Sequence, residues 1–300
     1  MTRRRLSASR REALAFYAFV SPWIVGIIVF LAVPLVVTLL LSFTNWDLFQ
    51  SPQWIGLRNY SELLFGKSSD FWLALRNTAY YAFILVPLNL VLSLGIAMLL
   101  NQPIILRRWF RTAFYLPSTI PIIAVVMLWS WLLAPDGIIN EVLSWFGIHG
   151  PAWLVDPGSV KNGLIIMGVW GLGGGVVLFL AGLQNIPRFL YEAMMIDGAG
   201  PFRRFFSITL PLLSPIILFN LISGIISATQ VFTQVYVISE NAQNPGDLML
   251  VPYLYNSAFQ YQQMGFASAI AWVFFMMVIA LTLIILRSAR RWVYYESKAR

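Results

Sequence analysis

Cysteine is missing from all 300 residues, and histidine occurs once. The first absence excludes a disulfide framework, thiol chemistry and zinc sites of the Cys type. The lone His149 has no cluster of Asp, Glu or His around it in the sequence, which argues against a metal site or a catalytic base. Charge is also scarce. Asp, Glu, Lys and Arg make up 11% of the chain against 59% hydrophobic residues, whereas a soluble domain holds about a quarter charged. A phosphate-cradling G-x-x-x-x-G-K-[ST] loop is absent as well. Its nearest approach, Gly66-Lys67-Ser68, has Ser61 where the first glycine belongs. The chain is therefore not expected to be an enzyme or to hydrolyse nucleotide by itself.

What is present is a series of long, charge-free apolar blocks, the pattern of a single membrane domain. A helix rises 1.5 Å per residue and the hydrocarbon core is about 30 Å thick, so roughly 20 apolar residues make a span. Six blocks qualify: Leu14 to Phe43, Ala79 to Leu100, Thr112 to Ala134, Asn162 to Gln184, Pro211 to Ile238 and Phe266 to Leu286. The first follows five arginines, as a signal peptide would, but it runs on to Phe43 without a small-residue cleavage pattern. It reads as a retained helix. The expected organisation is a six-helix domain over 14–286 between basic tails at 1–13 and 287–300.

None of the six blocks contains Asp, Glu, Lys or Arg. Ion-coupled carriers commonly keep an ionisable relay inside the membrane, so the driving energy is expected to come from elsewhere. Sodium held by backbone carbonyls at broken helices escapes that argument. An ion-coupled secondary transporter of a neutral solute therefore stands as the alternative.

The basic residues orient the chain. With both termini cytoplasmic, the inner segments hold Arg3, Arg4, Arg5, Arg10 and Arg11, then Arg107, Arg108 and Arg111, then Arg188, Arg203 and Arg204, then Arg287, Arg290, Arg291, Lys298 and Arg300. That is sixteen of the 20 basic residues, and only Arg58, Lys67, Arg76 and Lys161 fall outside. Lys and Arg stay on the cytoplasmic side. The net charge of +8 thus marks topology and contact with anionic lipid heads, and no nucleic acid is needed to explain it. Trp23, Trp46, Trp129, Trp131, Trp153, Tyr253, Tyr255, Trp292 and Tyr294 lie near span ends, where amphipathic rings anchor at the interface. Outer loops near 44–78, 135–161 and 239–265 are long enough for an outside partner to hold.

Between the fourth and fifth blocks, residues 185–210 read NIPRFLYEAMMIDGAGPFRRFFSITL. Pro187 can open a helix, and Gly198, Gly200 and Pro201 end it, which predicts a short helix from Arg188 to Asp197. Glu192 starts a face with Met195 and Ile196 at i+3 and i+4, while Ala193 and Gly198 leave low relief for a close approach. The segment resembles the cytoplasmic signature of permeases of binding-protein-dependent ABC importers, in particular the carbohydrate group of the maltose and glycerol-3-phosphate systems. That signature is E-A-A, three residues, G, nine residues, I-x-L-P. Glu192, Ala193, Gly198, Ile208, Leu210 and Pro211 stand at or near its places, with Asp197-Gly198-Ala199 as in the carbohydrate group and Met194 in place of the third alanine. The phrases WIGLRNYSELL, RNTAYYAF, RTAFYLPSTIP, PDGIIN and LAGLQNIPRFLYEA extend the likeness over nearly the whole chain.

The resemblance implies an all-α membrane protein with the type I ABC importer permease fold and a cytoplasmic coupling helix. It implies alternating-access import of a sugar or oligosaccharide across a bacterial or archaeal cytoplasmic membrane. The implied partners are a second, homologous permease of different sequence, two ATPase subunits that carry ATP and Mg, and an extracytoplasmic solute-binding protein. No cofactor belongs to this chain in that reading. Glu192, Ala193, Met194, Met195, Asp197, Gly198 and Ala199 would form the ATPase-coupling surface, with Glu192 meeting a basic or polar partner and Asp197 bracing the turn before Pro201.

A translocation path is legible independently of that likeness. Asn220, Ser223, Ser227, Gln230 and Gln234 are spaced 3, 4, 3 and 4, which puts them on one stripe of a helix. Uncharged amides and hydroxyls suit a neutral polyol, which needs hydrogen bonds but no countercharge. The same residue types also join helices in lipid, at about 0.6 kcal/mol on average. Tyr236 and Trp272 could stack on a sugar ring or simply pack. Gly171, Gly173, Gly174 and Gly175 permit close helix contact or a bend, and Pro117, Pro121 and Pro87 are expected to kink the third and second spans.

Overall fold

The structure is a computed structural model that describes residues 8–66, 70–239 and 245–294. Arg3, Arg4, Arg5, Lys67, Glu240, Lys298 and Arg300 lie outside the described residues, and with them parts of the two basic tails. Four helices are long and apolar enough to cross a bilayer: Ala15–Leu41, Phe71–Asn101, Pro201–Ile238 and Met264–Trp292. Two bent pairs bring the number up to six if each is taken as one span, Arg107–Thr119 with Ile122–Leu132 and Val160–Trp170 with Gly173–Asn185.

The helices outrun the apolar blocks that announce them, because an apolar window ends at the first charge whereas a helix does not. The second starts at Phe71, two turns before Ala79, and takes in Arg76; the sixth continues past Leu286 to Trp292. Arg290 and Arg291 in that last turn meet the negative end of the helix dipole. The third block, Thr112 to Ala134, is bent where Pro117 and Pro121 were expected to kink it, with two helical segments meeting at 100°. Pro117 leads into a 3₁₀ turn at Leu116–Thr119, and Ile120, held extended ahead of Pro121, forbids continuation. Pro87, by contrast, sits inside an unbroken helix.

Two compact units divide the chain, one comprising residues up to 67 with 257–273, the other 68–256 with 274 onward. In the first unit the loop after the first span folds into a small platform. Thr44–Asn45 pairs antiparallel with Gln53–Trp54, and the helix Arg58–Phe65 follows. Asn59 fastens it by donating to the carbonyls of Ser42 and Thr44, each at 2.9 Å, and Phe43 stacks on Trp54.

In the second unit the Phe71–Asn101 helix is the hub, packed on the fourth and fifth spans. One core cluster joins Tyr81, Leu85 and Val86 to Leu164, Ala228 and Val235; another joins Ala97 and Leu100 to Phe179, Leu183, Ile208 and Leu213. Glycines let the hub approach. A Cβ added at Gly168 would come within 2.9 Å of Leu85, one at Gly175 within 2.8 Å of Ser93 Oγ, and one at Gly224 within 3.2 Å of Val86.

Candidate functional site

The coupling segment forms one helix, Arg188–Ile196, opened by Pro187 in extended conformation. Its end is set by Gly198 at φ +74°, a left-handed position that costs glycine little. There the Ala199 N–H donates to the Met194 carbonyl at 2.9 Å and the Gly198 N–H to the Met195 carbonyl at 3.0 Å. These are the two reverse bonds of a Schellman ending, after which Gly200 leads into Pro201 at the start of the fifth span. The helix is also tied sideways, because the Tyr191 phenol lies 2.9 Å from the Thr209 hydroxyl.

Of the seven coupling candidates, Glu192, Ala193, Met195, Asp197 and Gly198 are exposed, but Met194 and Ala199 are not. Met194 packs against the cluster of Phe179, Ile208 and Leu213, and Ala199 is 7% exposed beneath the turn. Both hold the helix in place, so the departure from alanine at Met194 lies on the inner face and not on the open one. The outward stripe is Phe189, Glu192, Ala193 and Ile196, at i, i+3, i+4 and i+7, with Ile196 88% exposed and Phe202 81% exposed beyond the turn. The sequence reading missed Phe189 and Phe202. Helical spacing would have found Phe189, whereas Phe202 depends on the reversal at Gly198.

A cavity of about 400 Å³ lies among the second, fourth and fifth spans. Its polar lining is Asn220, Ser223, Ser227 and Gln234 from the predicted stripe, faced by Tyr81, Asn89 and Ser93 from the second span, with no ionised side chain. Gln230 is not among the lining residues. Gln230 caps the Leu210–Thr229 helix, its N–H donating to the Ile226 carbonyl at 3.2 Å, and it is exposed. Hydrogen bonds separate joining groups from free ones. Asn220 donates to its own helix at Ile216 and Ser93 to the Leu172 carbonyl at 3.3 Å. Ser223, Ser227 and Gln234 make no hydrogen bond among the described residues, which is not how helix-joining side chains behave in lipid.

Other candidates are packing groups. Tyr236 is boxed between Phe232 and Tyr255, with ring centres 5.0 and 5.2 Å away. The fourth-span glycines divide their labour: Gly173 seats against the Phe114 carbonyl, Gly175 against Ser93, and Gly171 lines the cavity at the 44° bend. No group of three or more His, Asp or Glu residues suited to a metal exists among the described residues.

At the other end of the second unit, Asn77 donates both amide hydrogens to the carbonyls of Pro245 and Leu248, each at 3.0 Å, and Lys161 Nζ donates to the Gly246 carbonyl at 3.1 Å. Asp247 is fully buried in that loop. Burial pushes its carboxyl up to about 6, against the opposing pull of the Ser239 hydroxyl, its own backbone N–H and the Lys161 ammonium.

Four to six candidate spans, an exposed helix strung between two of them and an uncharged cavity among the second, fourth and fifth define a multi-pass membrane transport component. The chain belongs to the family of binding-protein-dependent transport system inner membrane components, which it matches over residues 89–292. It is 44% identical over 293 residues to the probable ABC transporter permease protein YesP of Bacillus subtilis, covering 96% of this chain and 94% of that one. It is 33% identical over 288 residues to the trehalose/maltose transport system permease protein MalF of Thermococcus litoralis, covering 93% and 95%. In fold it is similar to a chain of a bacterial alginate ABC transporter crystallised with an alginate pentasaccharide-bound periplasmic protein, with a TM-score of 0.81, 24% identity and coverage of 96% and 98%. These relatives lend the ion-coupled alternative no support.

Proposed function

We propose that this chain is the permease half of a sugar importer whose Arg188–Ile196 helix is gripped by a separate ATPase subunit in the cytoplasm. The observation that carries the proposal is the helix itself. It stands outside the apolar spans, presents Phe189, Ala193 and Ile196 around Glu192, and is pinned to the base of the fifth span through Tyr191 and Thr209. An exposed apolar patch rimmed by polar groups is a protein-docking feature. A lever held rigidly at both ends can pass on the motion of whatever docks there.

In this reading both termini are cytoplasmic, as the arginine distribution favours, in a bacterial or archaeal membrane. A second, homologous permease completes the path, two ATPase subunits supply ATP and Mg, and a solute-binding protein delivers ligand from outside. ATP binding closes the ATPase pair, drags the lever and turns the permeases outward; hydrolysis resets them. The nucleotide must favour one state over the other, since equal affinity would shift nothing. A sugar or oligosaccharide fits the uncharged amides and hydroxyls of the cavity and the names of relatives such as the lactose permease LacF and the arabinooligosaccharides permease AraP. Ser223, Ser227 and Gln234 are the side chains that would bond it, with Asn220 beside them.

Affinity purification from the native membrane followed by mass spectrometry tests the assembly, and uptake by the reconstituted complex tests the activity. ATP-dependent uptake of one of maltose, trehalose, lactose or an arabino-oligosaccharide is expected. Uptake that ran without ATPase subunits on an ion gradient would overturn the reading.

A further inference from the structure

We infer that the second span supplies the opposite wall of the substrate path and that Asn89, with Tyr81, reads the hydroxyl groups of the substrate. The inference rests on the sugar-importer reading and goes beyond it, since that reading assigns the path to the fifth span alone.

Tyr81, Leu85, Asn89 and Ser93 recur every four residues along the Phe71–Asn101 helix and all line the cavity. Ser93 is committed to the Leu172 carbonyl. Asn89 is not committed to anything. Its Oδ1 is sealed from solvent without a partner, and the amide makes no hydrogen bond among the described residues. A buried acceptor without a partner is costly, and one on a residue that lines a cavity can be satisfied by a ligand or by a second state. A free amide can turn either a donor or an acceptor toward the cavity. A sugar hydroxyl, which is both, can match either orientation.

Position completes the case. Asn89 is one turn from Leu85, which faces Gly168, and one turn from Ser93, which faces Gly175. Those two glycines hold the second span against the fourth above and below it, so the Asn89 amide sits where the wall is most closely fixed. Tyr81, two turns away on the same stripe, has its hydroxyl beside Gly168 and bonded to no described residue. The cavity therefore presents hydrogen-bonding groups from two directions, Asn89 and Tyr81 on one side and Ser223, Ser227 and Gln234 on the other. A two-sided array discriminates between sugar epimers, because moving one hydroxyl from one face of the ring to the other leaves a partner unpaired on one wall.

The absence of cysteine from the native chain makes the test clean. Asn89→Cys, Ser223→Cys and, on the far side of the second span, Val91→Cys are introduced singly into the complete transporter with its partner permease, ATPases and binding protein. Each is exposed to a small water-soluble methanethiosulfonate during turnover with maltose, trehalose, lactose or an arabino-oligosaccharide. The inference expects Asn89→Cys and Ser223→Cys to react and both to be shielded by the transported sugar, with Val91→Cys indifferent to it. Shielding of Ser223→Cys alone would overturn it. As a second measurement, Asn89→Ala and Tyr81→Phe should each raise the uptake KM about threefold to tenfold, the worth of one hydrogen bond. An unchanged KM for every sugar in both variants would equally sink the two-wall path. Uptake without ATP by the cysteine-free parent would defeat the importer reading instead, and the labelling pattern separates the two failures.

Discussion

The phenol oxygen of Tyr191 lies 2.9 Å from the hydroxyl of Thr209, joining a surface helix to the foot of a membrane span 18 residues further along the chain. Covalently the two are linked through the turn at Gly198 and Gly200, which alone would leave the helix free to rock. The hydrogen bond makes helix and span one lever. Tyr191→Phe keeps the ring and removes the bond, so the ATPase should still co-purify while sugar uptake per ATP hydrolysed falls, by about fivefold if the bond contributes about 1 kcal/mol. Unchanged coupling in proteoliposomes would show that the helix is steered from elsewhere.

Gly198 offers a separation of backbone from surface effects. At φ +74° an alanine is strained by about 1 kcal/mol, and nothing lies within 4 Å of its added Cβ. Gly198→Ala should therefore lower helix stability slightly and leave ATPase docking largely intact. Glu192→Lys reverses the charge in the middle of the exposed stripe and should release the ATPase without altering the membrane fold. Co-purification of the ATPase with both variants, compared by quantitative mass spectrometry, decides between them.

Asn77 carries two of the bonds that fasten the 245–250 segment. Asn77→Leu removes both donors and leaves the carbonyls of Pro245 and Leu248 to find others inside a buried site. The expected cost is about 2 kcal/mol at about 1 kcal/mol per bond, read as a lower melting temperature of the detergent-solubilised protein and faster proteolysis of the outer loop.

Asp247 makes stability depend on pH in a definite direction. Its folded-state pKa is raised from 3.8 to about 6, so the folded chain binds its proton more tightly than the unfolded chain. The contribution is therefore present at low pH and is lost as pH rises between those two values, the reverse of a salt-bridged carboxylate. Asp247→Asn should stabilise the protein at about pH 7.5 more than at about pH 4.5, with Lys161 losing a neighbouring counter-charge as the opposing effect. Equal shifts in melting temperature at both pH values would contradict the assignment.

Gly175 sits where a side chain has no room, its added Cβ falling 2.8 Å from Ser93 Oγ. Gly175→Val should cost about 1–3 kcal/mol by overpacking and push the second and fourth spans apart. Gly174→Val, whose Cβ meets nothing within 4 Å, is the matched control and should be nearly neutral in thermal unfolding.

Much of the fold is legible because its signals are local or one-dimensional. Six apolar blocks, the arginine distribution and the Pro187 to Pro201 punctuation need no knowledge of packing. The helix Arg188–Ile196 ends within a residue of its expected limit for the same reason. Single positions differ from their expected place for separate reasons. Gln230 was placed on the cavity stripe by its spacing, but it caps the helix end, is exposed and lies outside the cavity lining. Met194 was placed on the docking face by motif position, but the helical phase turned it toward Phe179 and Leu213.

By itself the sequence determined that this chain crosses a membrane, which way its charges favour, and that a short helix interrupts the spans, because hydrophobic length, charge asymmetry and chain-reversing residues act without reference to distant partners. Only the tertiary structure decided which polar groups are free. Whether Ser93 is joined to Leu172 while Asn89 remains unpaired depends on how closely glycines let separate spans approach, and no reading of one helix at a time contains that distance.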